Sequence, residues 1–235
     1  MEGEEFHEVE IDQKFYTLIP SRFPTIDPFA RIAKSRSREI ADIESITNPR
    51  LRERNRMTQG ASAVDGNSPL LQNWNHAPFT YSNPEGSRFF GPERSVLELA
   101  EDLQTALAIS IRRRETFLRR TGEAAIGLEM REITRVVKGR FADGRDWDLD
   151  LNLEERRRRG ELVMRAGFDG LLFRSEERPS GTCICVIRGE VLERAVQGDH
   201  FKFVWDGEAV TAIYSFRSGQ DFLPEKLRSA DRVLA

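Results

Sequence analysis

Apolar and polar positions alternate with two different periods along this chain, and the switch between them predicts where strands give way to helices. KFYTLIP (14–20) is a short apolar run closed by Pro20, which predicts a first strand. Ile40, Ile43 and Ile46 stand three residues apart, as on one helix face, with a stop predicted at Asn48-Pro49. SVLELAEDLQTALAISIRRRETFLRR (95–120) opens as a strand and continues as a helix whose buried stripe is Leu103, Ala106, Leu107, Ile111 and Leu118. The first half of LEMREITRVVKGRFA (128–142) alternates as a strand does. NLEERRRRGELVMRAG (152–167) carries helix boundaries of its own. Asn152 is the N-cap, Glu155 stands where a capping box places it, and Gly167 suits the left-handed C-terminal position. Four strands then follow in FDGLLFRS, TCICVIR, FKFVW and AVTAIYSF, the last two joined through Asp206-Gly207-Glu208, a hairpin signal.

Between these elements, residues 57–94 are rich in Gly, Ser, Asn and Pro and predict long loops, which in a compact domain tend to carry function. No interior linker or internal repeat is evident. The chain divides into an acidic lead-in over 1–13, one domain over 14–216 and a C-terminal tail over 217–235. Strands and helices mix without strict βαβ alternation, which predicts an α+β fold.

Composition narrows the classes of function. The 235 residues can bury a full core, and no run approaches the roughly 18 apolar residues of a membrane helix. MEGEEFHEVEID has neither the basic nor the apolar region of a secretory signal, so a cytoplasmic location is expected, with no membrane partner. The net charge of −3, from 36 basic and 39 acidic residues, argues against nucleic acid as a partner. The runs Arg112–Arg114 and Arg156–Arg159 therefore predict solvated helix faces, with Glu154 and Glu155 four residues before Arg158 and Arg159. Cys183 and Cys185 flank one residue of a strand, so they share a face and are expected to be buried as small hydrophobes. His7, His76 and His200 have no ligand spacing, and no metal site is expected.

Two residues stand out as binding groups. Gly86 in SNPEGSRFFG lets the backbone approach a ligand, and Arg88 can fork onto a phosphate; a turn with a surface arginine is the plainer alternative. Ser175 stands just past the end of a buried strand. No G-x-S-x-G elbow surrounds it and no histidine is placed as its base, so it reads as a hydrogen-bonding or turn serine rather than a nucleophile.

Taken in order, FYTLIPSRFPTIDPFARI, ITNPRLRE, APFTYSNPEGSRF, DLQTALAISIRRRETFL, LEMRE, RAGFDGLLFRS and CICVIR with QGDHFKFVWDGE resemble the longer members of the RES-domain family over about residues 14–216. The resemblance implies a single mixed-sheet domain similar to the ADP-ribosyltransferase fold. It also implies an ancestry among toxins that destroy NAD at the nicotinamide–ribose bond and are held in check by an antitoxin protein. NAD would then be a substrate or ligand, with no resident cofactor. That reaction builds positive charge on the ribose, which a nearby carboxylate stabilises, while an arginine clamps the pyrophosphate.

Carried over residue by residue, the resemblance retains Ser175 and Arg88 and loses the rest. The family's first-strand arginine falls at Thr17, its strand tyrosine at Glu98, its helix glutamate at Ile109, and its Tyr-His pair at Arg112-Arg113. The expectation is a degenerate member with weakened or lost NAD cleavage and a binding or regulatory role. The alternative is an active enzyme in which Glu98 replaces the missing carboxylate.

Overall fold

In the computed structural model, which describes residues 6–21, 43, 48–58 and 63–234, the first strand starts ahead of its apolar run. Strand β1 covers Glu8–Pro20, so the acidic residues 8–13 are part of the sheet. Alternation explains this: Ile11 and Phe15 turn inward and are buried. Outward-facing Glu8 and Asp12 meet Arg140 at 3.4 Å and Lys138 at 3.7 Å on the neighbouring strand.

Seven further strands follow: β2 (Leu97–Ala100), β3 (Ile126–Asp143), β4 (Gly170–Arg174), β5 (Thr182–Val186), β6 (Val196–Trp205), β7 (Val210–Ser215) and β8 (Gln220–Phe222). They form one mixed sheet in the order β1-β2-β5-β4-β3-β6-β7-β8. A further pairing of β1 with β3, running from Glu8↔Ala142 to Pro20↔Met130, closes the first five strands into a ring. The ring is unevenly sewn: β1 and β2 share only Tyr16↔Ala100. Long β3 serves two partners along one edge, antiparallel β6 near its start and parallel β4 at its end. The β6–β7 hairpin turns at Asp206, whose Oδ1 accepts from the backbone of Glu208 and Ala209 at 2.8 Å each. These elements make the α+β fold expected from the sequence.

Five α-helices accompany the sheet among the described residues: α1 (Pro49–Met57), α2 (Asn73–Thr80), α3 (Leu103–Thr121), α4 (Leu153–Arg165) and α5 (Pro224–Arg228). Asn48-Pro49 opens α1, with Pro49 at its first position, and α2 corrects the sequence reading. Apart from Ile43, the helix expected through Ile40 and Ile46 lies outside the described residues. The long-loop region 57–94 contains a 3₁₀ turn (Pro69–Leu71) and α2, which tolerates Pro78 in its interior. In α3 the predicted stripe packs Leu107, Ile111 and Leu118 on Met130, Phe203 and Ile213. Helix α4 has its expected cap, Asn152 Oδ1 accepting from Glu155 N at 2.9 Å. Only half of the capping box forms, because the Glu155 carboxylate goes to Arg158 and Arg159 instead.

Three apolar clusters result. Phe15, Leu99, Val137, Phe141, Leu172 and Ile184 fill the ring. Phe89, Phe90, Val163, Phe173, Cys183 and Cys185 pack its outer face under α4, and α3 covers β6 and β7. The two cysteines share one face, as expected.

Candidate functional site

The pocket opens where the ring is thinnest. Beyond Tyr16↔Ala100, β1 and β2 separate, and Thr17 of β1, Glu98 of β2 and Ile109 of α3 line a small pocket with Arg88. It shares Thr17, Arg88, Glu98 and Arg114 with a wider outer groove.

Arg88 is delivered by a tightly folded loop. Asn83 and Gly86 exchange hydrogen bonds, and Ser87 N donates to Phe90 O at 2.7 Å while Phe90 N donates to Ser87 Oγ at 3.1 Å. Gly86 has φ +76°, and a Cβ there would stand 2.5 Å from Phe90 O, so this turn requires glycine. The Arg88 side chain lies over the Phe173 ring, 5.7 Å from its centroid. Its Nη2 donates to both oxygens of Glu177 at 2.6 Å, and Nη1 stands 3.2 Å from Glu176. Burial works against the Arg88 charge, but Glu177, Glu98 and Glu176 outweigh it and hold the guanidinium protonated. Glu177 mirrors this. Burial pushes its carboxyl up, Arg88 pulls it further down, and the result lies below the ordinary glutamate value.

Ser175 sits behind this pair. It is 0% exposed and does not line the pocket. Its Oγ donates to Glu177 Oε2 at 3.0 Å and accepts from Arg178 N at 3.3 Å. Ser175 therefore connects to the pocket through the chain Ser175–Glu177–Arg88. Arg178, on the same loop, donates to Asp102 at 3.2 Å and Thr105 at 3.0 Å at the start of α3, and to Ser229 O at 3.1 Å in the C-terminal segment. The loop carrying Ser175 and Glu177 is thus pinned on two sides.

Glu98 lines the pocket, as its position at the strand end suggested, and both of its oxygens are engaged. Oε1 accepts from Arg88 N at 3.1 Å, and Oε2 pairs with Arg113. Cys183 also reaches the pocket wall, but burial pushes its thiol up to about 12, which removes the thiolate needed for nucleophilic attack. Burial raises Cys185 as well. Among the described residues no group of three or more His, Cys, Asp or Glu is placed to hold a metal.

The arginine runs correct a second expectation, since they are not uniformly solvated. Arg113 and Arg114 face the pocket. Arg156 is largely covered, pairing with Glu176 and donating to Leu149 O at 2.7 Å. Arg158 and Arg159 both use Glu155, at 2.7 and 2.9 Å, and together hold its carboxyl down at about 2. Sequence reasoning missed Glu177, whose one available signal was its position two residues past Ser175; an arginine of the 112–114 run was considered for an altered site only alongside Glu98, and the structure brings Arg113 and Arg114 to the pocket.

The RES-domain family model matches residues 69–206, and the chain belongs to that family. Over 230 residues it is 46% identical to a protein of Sinorhizobium fredii (strain NBRC 101917 / NGR234) described as "Uncharacterized protein y4oC". The match covers 97% of this chain and 99% of that one. Among solved structures, a chain of the M. tuberculosis MbcT–MbcA toxin–antitoxin complex is a remote likeness in fold. It has a TM-score of 0.40 and 12% identity, covering 81% of this chain and 86% of that one. No described helix is long and apolar enough to cross a membrane.

Proposed function

We propose that this RES-domain protein uses the pocket to bind NAD or a related nucleotide and that its capacity to cleave NAD is weakened or lost. The observation that carries this reading is the pocket wall itself. Thr17 and Ile109, the positions at which the family resemblance expects arginine and glutamate, both line it. An isoleucine cannot stabilise the positive ribose that cleavage creates. The nearby carboxylate, Glu98, is already held by Arg113 and the Arg88 backbone. Loss of one preorganised charge stabiliser lowers a rate by about 10²–10³. Losses at two positions lower it further, though not additively.

In this reading Arg88 and Ser175 orient ligand or loop without acting as acid, base or nucleophile. The protein works in the cytoplasm as a binding or regulatory relative of NAD-degrading toxins, and an antitoxin-type protein is its candidate partner. The test is incubation of the full chain with NAD and inorganic phosphate while free nicotinamide is followed. Turnover at background is expected. Robust turnover abolished by Ser175→Ala would overturn the reading.

A second reading is supported by the presence of Glu98 in the pocket: an active NAD-degrading toxin with Glu98 as the replacement carboxylate. It requires growth arrest and NAD depletion on expression in bacteria, both relieved by Glu98→Gln. Unimpaired growth with unchanged NAD would remove it.

A further inference from the structure

Three arginines converge on the pocket, and their charges are balanced very differently. Arg88 is matched by Glu177 and Glu176, and Arg113 by Glu98. Among the described residues, Arg114 has no carboxylate within salt-bridge distance and its guanidinium donates no hydrogen bond; its Nε is buried without a partner. Its recorded ring contact is with Phe117, 5.9 Å away. Burial and the adjacent Arg113 charge both work against ionisation of Arg114, yet an arginine remains charged at neutral pH.

A half-covered guanidinium with no counter-ion is costly to the fold unless something else supplies the negative charge. The position of Arg114 indicates where that charge would come from. Arg114 lines both the inner pocket and the outer groove, at the junction between them. Ser110, four residues earlier, lies on the same helix face and lines the same pocket, as does Thr17 across from it. Neither the Ser110 nor the Thr17 hydroxyl bonds to a described protein group. The pocket's unfilled capacity is thus a guanidinium and two hydroxyls, while the oxygens of its carboxylate, Glu98, are already taken. A surplus of donors beside one unbalanced positive charge fits a ligand group made of acceptors.

We infer that Arg114, with the hydroxyls of Ser110 and Thr17, forms an oxyanion subsite that seats a phosphate group of the pocket's ligand, an inference that rests on this pocket being a ligand site but not on NAD being the ligand. Phosphate fits better than carboxylate because its tetrahedral oxygens can accept from a guanidinium and from hydroxyls on two sides at once, whether as free phosphate or as one member of a diphosphate, where it keeps two non-bridging oxygens and one negative charge.

The test is calorimetric titration of the full chain with inorganic phosphate, ADP-ribose, NAD and adenosine. The wild type, Arg114→Gln, Arg114→Lys and the exposed control Arg112→Gln would be compared. Phosphate and ADP-ribose are expected to bind, more weakly as salt rises. Affinity should fall about tenfold to a hundredfold in Arg114→Gln, as for loss of one charged hydrogen-bonding partner. Arg114→Lys should recover part of it and Arg112→Gln should match wild type. Arg114→Gln removes an unbalanced charge, so its unliganded melting temperature should not fall, which separates lost binding from lost folding. If phosphate binds through Arg114 but ADP-ribose does not, the subsite stands and the nucleotide reading fails. If ADP-ribose binds wild type and Arg114→Gln equally, the nucleotide reading stands and the subsite is overturned. No binding of phosphate or ADP-ribose to wild type also overturns it.

Discussion

Glu177→Gln tests the internal ion pair on which the site is built. In the native protein the Arg88 and Glu177 side chains are only 15% and 11% exposed, and both Glu177 oxygens accept from Arg88 at 2.6 Å. Glutamine keeps the volume and one acceptor but leaves the guanidinium without its close negative charge. Removing one partner of a buried pair costs about 3–5 kcal/mol. Glu176, 3.2 Å from Arg88 and 43% exposed, takes over part of the charge balance, so we expect about 2–3 kcal/mol. At roughly 2–4 °C per kcal/mol for a domain of this size, the melting temperature should fall by about 5–10 °C.

The sign with pH is fixed by the native carboxyl, which lies below its unfolded value because Arg88 overcomes the effect of burial. Its stabilisation is therefore complete above the ordinary glutamate value and is lost as pH falls through the depressed native one. The gap between wild type and Glu177→Gln should be widest near neutrality and close in acid. Urea titrations of wild type, Glu177→Gln, Arg88→Met and the double variant give both the loss and the coupling. A double variant as unstable as the two single losses added together would refute the reasoning. So would a Glu177→Gln loss below about 0.5 kcal/mol, the scale of an ordinary surface change.

Other expectations follow from separate parts of the molecule. Asn152→Ala removes the α4 cap seen at 2.9 Å and should cost about 1 kcal/mol in urea unfolding, with Asn152→Asp close to wild type. Glu132 is held above the ordinary glutamate value by burial first and by Asp199 second, although the Asp199 backbone N–H opposes this at 3.0 Å. It therefore favours the native state most below its unfolded value and loses that advantage as pH rises through the native one. Glu132→Gln should flatten this slope, leaving the variant relatively more stable at pH 7 than at pH 4 by urea unfolding. Arg178→Ala should both destabilise the protein and loosen residues 175–181 and 229–230, because one side chain ties these segments to α3. Faster hydrogen exchange confined to those segments and to the start of α3 is the expected signature.

Local rules carried the sequence furthest where neighbours in the chain decide the structure. The Asn152 cap, the left-handed Gly167 (φ +81°) and the Asp206-Gly207 hairpin were all visible because each is settled within four residues. The start of β1 was hidden because its acidic residues look like a solvated lead-in until Lys138 and Arg140, more than 120 residues away, stand opposite them. Helix α2 was hidden for the opposite reason. Pro78 and a weak apolar stripe speak against a helix, and burial of Asn75 and His76 against distant residues overrides them. At the site, Arg88, Glu98, Thr17 and Ile109 were legible from the resemblance, whereas Ser175, expected with them, stands behind the pocket wall. Glu177 was not legible, since its carboxylate acquires a role only when the fold brings it to an arginine 89 positions earlier. The arginine run 112–114 read as one surface because sequence gives the sum of its charges and not the partner of each.

The single pairing Tyr16↔Ala100 has a consequence for how a ligand could be held. A strand turns successive N–H and C=O pairs to alternate sides. Past the junction, β1 remains bound to β3 on one side through Pro20, and β2 to β5 through Leu97. Their facing edges, around Leu18 and Glu98, therefore line the pocket instead of pairing with each other. A change of side chain at 17 or 109 therefore alters the lining of this opening without breaking a β1–β2 pairing.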